Sequence, residues 1–165
     1  TMVAEFTRTS WKKYSNLIIT RTFSKAFAGA GLRIGYMVGD NKIIQEINKI
    51  KLPYNINFFT EHAAKVLLNN YTLIEENISI LQSERSAMIK FLNEMPFDNV
   101  YPSKANFFCI RTSHKRQFLE YLLEDGILVR DISTYPLLES CFRLSIGTPD
   151  ENNQFKKSTR RFFNK

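Results

Sequence analysis

The sequence predicts an α/β chain in three parts: a stretch with two paired strands and helices over residues 1–72, a long helix over 73–95, and a small α+β domain over 96–165. Three observations predict this. Short apolar runs at 16–20 and 34–38 flank a loop of small and polar residues, as paired strands flank a connection. Ile74, Ile78, Leu81, Met88, Leu92 and Met95 recur in steps of four and three, with Arg85 filling the one interruption, so a single apolar stripe runs along one long helix. After Pro96, short apolar runs alternate with helical stretches and turn signals.

Composition sets the bounds. A chain of 165 residues with 44% hydrophobic and 24% charged residues is globular and long enough to bury a core. No apolar stretch approaches the ~20 residues of a membrane span, and the first residues lack the apolar core of a signal peptide. The net charge of +7 raises the question of nucleic acid. The basic residues are scattered, however, except for Lys156, Lys157, Arg160, Arg161 and Lys165, which at helical spacing form the solvated face of a last helix. Neither nucleic acid nor membrane is expected as a partner. Cys109 and Cys141 make neither a disulfide framework nor a zinc site. Each sits in an apolar run and is expected as a buried thiol, in keeping with a reducing cytoplasm.

Taken in order, residues 1–15 read as a loop and weak helix, followed by strands at 16–20 and 34–38. Gly39, Asp40 and Asn41 form a turn and cap that open a helix over 41–50 with Ile43, Ile44, Ile47 and Ile50 as its stripe. Pro53 breaks the chain within Lys51–Asn55. A helix over 60–68 turns Ala63, Ala64, Leu67 and Leu68 inward and carries a structural His62. On the long helix, Arg85 reads as a snorkelling side chain rather than an anion ligand. Pro96 ends that helix. Residues 106–111 form a buried strand, 115–124 a helix stopped by Asp125 and Gly126, and 127–130 and 141–146 two further strands, with His114 exposed at a turn. The last helix opens with Thr148 as cap, Pro149 first and acids in the first turn, and Phe155, Phe162 and Phe163 dock it.

The loop between the first two strands is expected to carry chemistry. Lys25 lies between apolar runs, beside Ser24 and ahead of Gly29 and Gly31, and a buried ammonium needs a partner or a lowered pKa. A P-loop would place the lysine after the glycines, and a dinucleotide fingerprint would place the third glycine one residue before Gly35. A lysine that condenses with a cofactor aldehyde accounts for more. Thr22 and Ser24 hydroxyls donate to a phosphate, Arg33 offers a rigid fork to it, and Gly29 and Gly31 supply the bend.

The run Thr-Phe-Ser-Lys-Ala-Phe-Ala-Gly-Ala-Gly-Leu-Arg-Ile-Gly-Tyr over 22–36 resembles the lysine segment of fold-type I pyridoxal-phosphate aminotransferases. It is most similar to the histidinol-phosphate aminotransferase branch, which includes threonine-phosphate decarboxylase. Ala28 and Gly29 replace the usual Gly-Leu without changing the spacing. The resemblance implies that Lys25 holds pyridoxal 5'-phosphate and shuttles a proton, and that Thr22, Ser24 and Arg33 hold the cofactor phosphate. It implies a substrate-binding place for Tyr54, in a Pro-Tyr-Asn loop that reaches the partner subunit in the family, the alternative being a packed loop tyrosine, and for Asn106, in an Ala-Asn-Phe motif, read mainly as a structural hydrogen-bonding residue near the cleft.

Two arginines complete the set. Arg130 ends one strand and Arg143 lies inside another, and a guanidinium in an apolar strand needs an anion. The structural alternative is an ion pair with Asp131 or Glu139. In the resembling branch, an Arg-Asp and an Arg-x-Ser-x-Gly hold the substrate's anionic end, and Arg130 and Arg143 match both motifs. The implied activity is transamination of histidinol phosphate or a similar anionic amine with 2-oxoglutarate, by a cytoplasmic homodimer and with no metal. The family lysine sits past mid-chain, so the resemblance implies that this polypeptide is the C-terminal half, inactive alone: the end of the large cofactor-binding domain and its sheet over 1–72, the long linking helix over 73–95 and the small α+β domain over 96–165. The alternatives are a decarboxylase of the same branch or an inactive packing module.

Overall fold

The computed structural model describes residues 12–164; the expectations for residues 1–11 lie outside them. The chain divides into two compact units, Thr1–Glu76 and Asn77–Lys165.

In the first unit, β1 (Ile18–Thr22) and β2 (Gly35–Gly39) pair antiparallel, with Ile18 opposite Gly39 and Thr22 opposite Gly35. At Gly35 an added Cβ would stand 2.5 Å from the Arg21 carbonyl oxygen, so no side chain fits there. The strands lie one or two residues later than predicted, and they are not buried. Ile18, Tyr36 and Met37 are all exposed, because a two-stranded pair has no second layer within its unit to cover both faces. Helix α1 (Asn41–Ile50) is capped by Asp40, whose carboxylate accepts from the Lys42 amide at 2.9 Å. Ile43, Ile44 and Ile47 are half-buried, but Ile50 is 82% exposed, because the chain leaves the helix there toward Pro53. Helix α2 (Phe58–Asn69) starts earlier than predicted, since Asn57 caps it through the Thr60 amide. Ala64 is buried as expected, while Leu68 is exposed. The Thr60 hydroxyl donates to the Leu32 carbonyl at 3.2 Å and ties α2 to the loop after β1. Helix α3 (Tyr71–Glu94) runs across the division between the units.

The second unit is a four-stranded antiparallel sheet in the order β3-β4-β6-β5, built from β3 (Asn99–Val100), β4 (Phe107–Arg111), β5 (Arg130–Asp131) and β6 (Cys141–Ser145). Helices α4 (Lys115–Glu124) and α5 (Pro149–Phe163) complete it. One sheet face, Phe108, Ile110, Phe142 and Leu144, packs in a single core with Met88, Phe91 and Leu92 of α3, Phe118 and Leu122 of α4, and Phe155 of α5. Phe118 is its aromatic centre, with the rings of Phe97, Phe142, Phe162 and Phe163 at 5.1–5.7 Å. The cap of α5 is a full box: the Thr148 hydroxyl accepts from the Glu151 amide, and the Glu151 carboxylate accepts from the Thr148 amide at 2.7 Å. The strand predicted at 127–130 is a correction. Only Arg130 and Asp131 join the ladder, because Gly126, at φ +76°, ends α4 in a turn that spends the Ile127 amide on the Leu122 carbonyl.

Candidate active site

In the first unit the sequence's lysine loop is closed by its own backbone. The Phe23 amide donates to Ile34, Gly29 to Phe23, Ala28 to Lys25 and Leu32 to Gly29, and the last of these begins a single 3-10 turn, Ala30–Leu32. The aromatic residues point one way: Phe23 is buried against Phe27 at 4.5 Å, and Phe27 lies 6.1 Å from Tyr71. The Thr22 hydroxyl donates to Ser24 Oγ at 2.9 Å and accepts from the Ser24 amide at 3.0 Å, so the two hydroxyls are held side by side. Arg33 donates to the Ala30 carbonyl at 3.0 Å.

Two sequence expectations change here. The bend does not come from two glycines. Ala28 (φ 50°) and Arg33 (φ 51°) take the left-handed conformation, which costs a residue with a Cβ about 1–2 kcal/mol. Gly29 sits in a close approach instead: its Cβ would lie a tight 3.1 Å from the Phe23 carbonyl oxygen, whereas at Gly31 nothing lies within 4 Å. Lys25 is also exposed rather than buried, because the strands flanking it are themselves uncovered. The donor set still fits an anion. Lys25, Arg33 and two hydroxyls share one loop, and no acidic residue occurs from 12 to 39. Tyr54, also left-handed at φ 60°, is 99% exposed.

In the second unit the β5–β6 ladder sets Arg130 directly opposite Arg143. Both line a hollow of about 310 Å³ with Phe107, Cys109, Ile132, Tyr135 and Leu138. They also line a larger concavity, about 730 Å³, beside the start of α5. The Arg143 guanidinium stacks over the Phe107 ring at 5.1 Å, and its Nε is buried without a hydrogen-bond partner. The acids proposed as structural partners are engaged elsewhere. Asp131 accepts from the Ser133 amide at 2.8 Å and from Lys115 at 2.9 Å, contacts that hold its carboxyl down at about 2. Glu139 accepts from the Leu137 amide at 3.2 Å. Like charges directly opposite on a ladder repel, and an orphaned buried donor is costly, so the arrangement is suited to an anion.

Asn106 is exposed. Its carbonyl accepts from the Ile146 amide at 2.9 Å, and its loop is clamped by Ser103, which donates to the Phe107 carbonyl at 2.7 Å, and by Arg85, which donates to the Lys104 carbonyl at 2.8 Å. Phe107 and Cys109 are site-lining residues that sequence reasoning missed. The period of two in 107–111 was the available signal, since it puts both on the face of Arg143. Burial, and then Cys141, push the Cys109 thiol up to about 11. Among the described residues no group of His, Cys, Asp or Glu could hold a metal, and no helix is long and apolar enough to cross a membrane.

A family model described as aminotransferase class I and II matches residues 1–157. A histidinol-phosphate aminotransferase of Christiangramia forsetii is 40% identical over 146 residues, which is 88% of this chain and 42% of the relative. Among solved structures, the histidinol-phosphate aminotransferase from Clostridium acetobutylicum matches with a TM-score of 0.82 at 30% identity, over 99% of this chain and 49% of that one. L-threonine-O-3-phosphate decarboxylase from Porphyromonas gingivalis matches with a TM-score of 0.80 at 29% identity, over 95% and 50%. The chain thus spans less than half the length of the curated relative it matches.

Proposed function

We propose, from the premise that the chain belongs to the aminotransferase class I and II family, that the whole protein is a pyridoxal-phosphate-dependent aminotransferase. Its substrate is histidinol phosphate or a similar phosphorylated amine, with 2-oxoglutarate as acceptor, and it works as a cytoplasmic homodimer. The observation that carries the substrate class is the opposed pair Arg130 and Arg143, with no acid of their own and with an orphaned Nε. Two cations facing one hollow are best neutralised by a dianion, and a planar guanidinium binds phosphate or carboxylate through two parallel contacts.

Pyridoxal phosphate, when bound, supplies the electron sink that lets a substrate Cα–H bond ionise. Lys25 is the residue that would hold it covalently, and the Thr22 and Ser24 hydroxyls with Arg33 would hold its phosphate. Lys25 Nζ, once released by the substrate, would take the proton from the donor's Cα and, in the reverse half of the cycle, give one to the Cα of the acceptor. Arg130 and Arg143 orient the substrate by its anionic end, and so fix which bond at Cα is presented.

Borohydride reduction of the whole protein with pyridoxal phosphate, followed by peptide mass analysis, tests this. The label is expected on Lys25, and Lys25→Ala is expected to lose both label and amination. A label elsewhere with amination retained refutes the assignment. The decarboxylase similarity keeps a second reading alive; carbon dioxide release without transfer of the amino group would favour it.

A further inference from the structure

We infer that Phe107 is a positioning residue: its ring covers one face of the Arg143 guanidinium and holds it in place, so that the terminal N–H edge rather than the face meets the incoming anion. This rests on the reading that Arg143 receives the substrate anion. Phe107 is the ladder partner of Ser145, so ring and guanidinium are diagonal neighbours on one face of the sheet, 5.1 Å apart. Arg143 also faces Arg130 as its ladder partner on the other side. An arginine on a flexible stem beside a like charge swings away unless something holds it. The negative face of an aromatic ring does so, and at no cost in donors, because all five guanidinium N–H groups lie in the plane. The Nε itself is buried and unpartnered, so the anion is received by the terminal nitrogens of the fork. With its face covered by Phe107, Arg143 keeps an edge for an acceptor with two oxygens side by side, a phosphate monoester or a carboxylate. An aliphatic side chain at 107 would fill the same space without holding the plane.

The test compares Phe107→Leu, Phe107→Tyr and Arg143→Met in the whole protein, with inorganic phosphate as the probe and KM for the phosphorylated amine as the second readout. Phe107→Leu is expected to raise the phosphate Kd and the KM together by roughly 2- to 30-fold, with the loss in KM rather than kcat, and Phe107→Tyr is expected to restore both. If Phe107→Leu leaves phosphate affinity unchanged while Arg143→Met weakens it, or if leucine and tyrosine lose equally, the role of the ring is overturned and the substrate reading survives. If Arg143→Met changes nothing, the substrate reading itself fails. Should Phe107→Leu not fold, Phe107→Met, long and apolar but without a ring, reads the same quantity.

Discussion

Replacing Arg143 by methionine is expected to separate stability from binding. In the ligand-free chain Arg143 makes a poor contribution. It stands opposite Arg130 on the ladder, a like-charge pairing that costs about 0.2–1 kcal/mol. Its Nε is buried without a partner, which costs about 1–3 kcal/mol. Against these stands the contact with Phe107 at 5.1 Å, worth about 0.5–1 kcal/mol. Methionine keeps the length and apolar contacts of the stem. The balance favours the variant by about 1 kcal/mol, a rise of about 2–4 °C in melting temperature for a chain of this size. Binding goes the other way. Losing one partner of a desolvated charge pair costs about 2–5 kcal/mol, so phosphate affinity falls by roughly 30-fold to several thousandfold. Thermal melts with and without inorganic phosphate read both effects. Wild type should be the less stable protein without phosphate and the one that phosphate stabilises more. A variant that melts well below wild type without phosphate, or that phosphate protects equally, refutes the reasoning.

Two further outcomes are expected. Gly35→Ala puts a Cβ 2.5 Å from the Arg21 carbonyl oxygen, so β1 and β2 must separate at a cost of about 1–3 kcal/mol. Faster exchange of the Tyr36 amide, opposite Arg21 in the ladder, would report it, and exchange unchanged from wild type would count against the close approach. Cys109, with its thiol pushed from 9.0 up to about 11, should react with iodoacetamide roughly a hundredfold more slowly than the same thiol in the unfolded chain at pH 8, narrowing to roughly tenfold at pH 10. The sign for stability follows: the raised value favours the neutral thiol in the fold, so its contribution is complete below pH 9 and is lost as pH rises through 11. Native labelling as fast as unfolded labelling would show a normal thiol.

Much of this fold is legible in local chemistry. The helix at 41–50 opens at an aspartate cap and closes before Pro53, and α5 carries its whole capping box in four residues, so both could be placed to the residue. The six-turn stripe of α3 was equally plain, since a period that long has no competing explanation. What failed depended on neighbours far along the chain. Ile127–Val129 look like a strand, but whether they pair depends on the direction in which Gly126 releases them. Burial of β1, β2 and Lys25 was inferred from apolar composition, which says that a residue can be covered but not that anything covers it. At the site, the arginine pair was visible as two charges in apolar strands, but their being opposite each other is a fact of register, and register is set by the hydrogen-bond ladder.

The departures from local rules are not scattered evenly. Left-handed backbone at residues with a Cβ occurs at Ala28 and Arg33, both within the lysine loop, at Tyr54, and at Leu137, next to Leu138 in the arginine hollow. Buried nitrogen without a partner occurs at Arg143 Nε and at Arg111 Nε, on the same face of the β4–β6 pair, and Arg111 at least donates to the Leu137 carbonyl at 3.0 Å. The helices, caps and core of the second unit break no such rule. A sequence under selection for stability alone would remove these costs with single substitutions, a glycine at Ala28 or a neutral side chain at Arg143. Their persistence in three loops and one sheet face is what a binding function predicts, because strain and uncompensated polar groups gather where a ligand is held. Arg143 is the sharpest instance, since the like-charge pairing and the buried Nε that weaken the fold without phosphate belong to the guanidinium that the Phe107 ring holds ready for it.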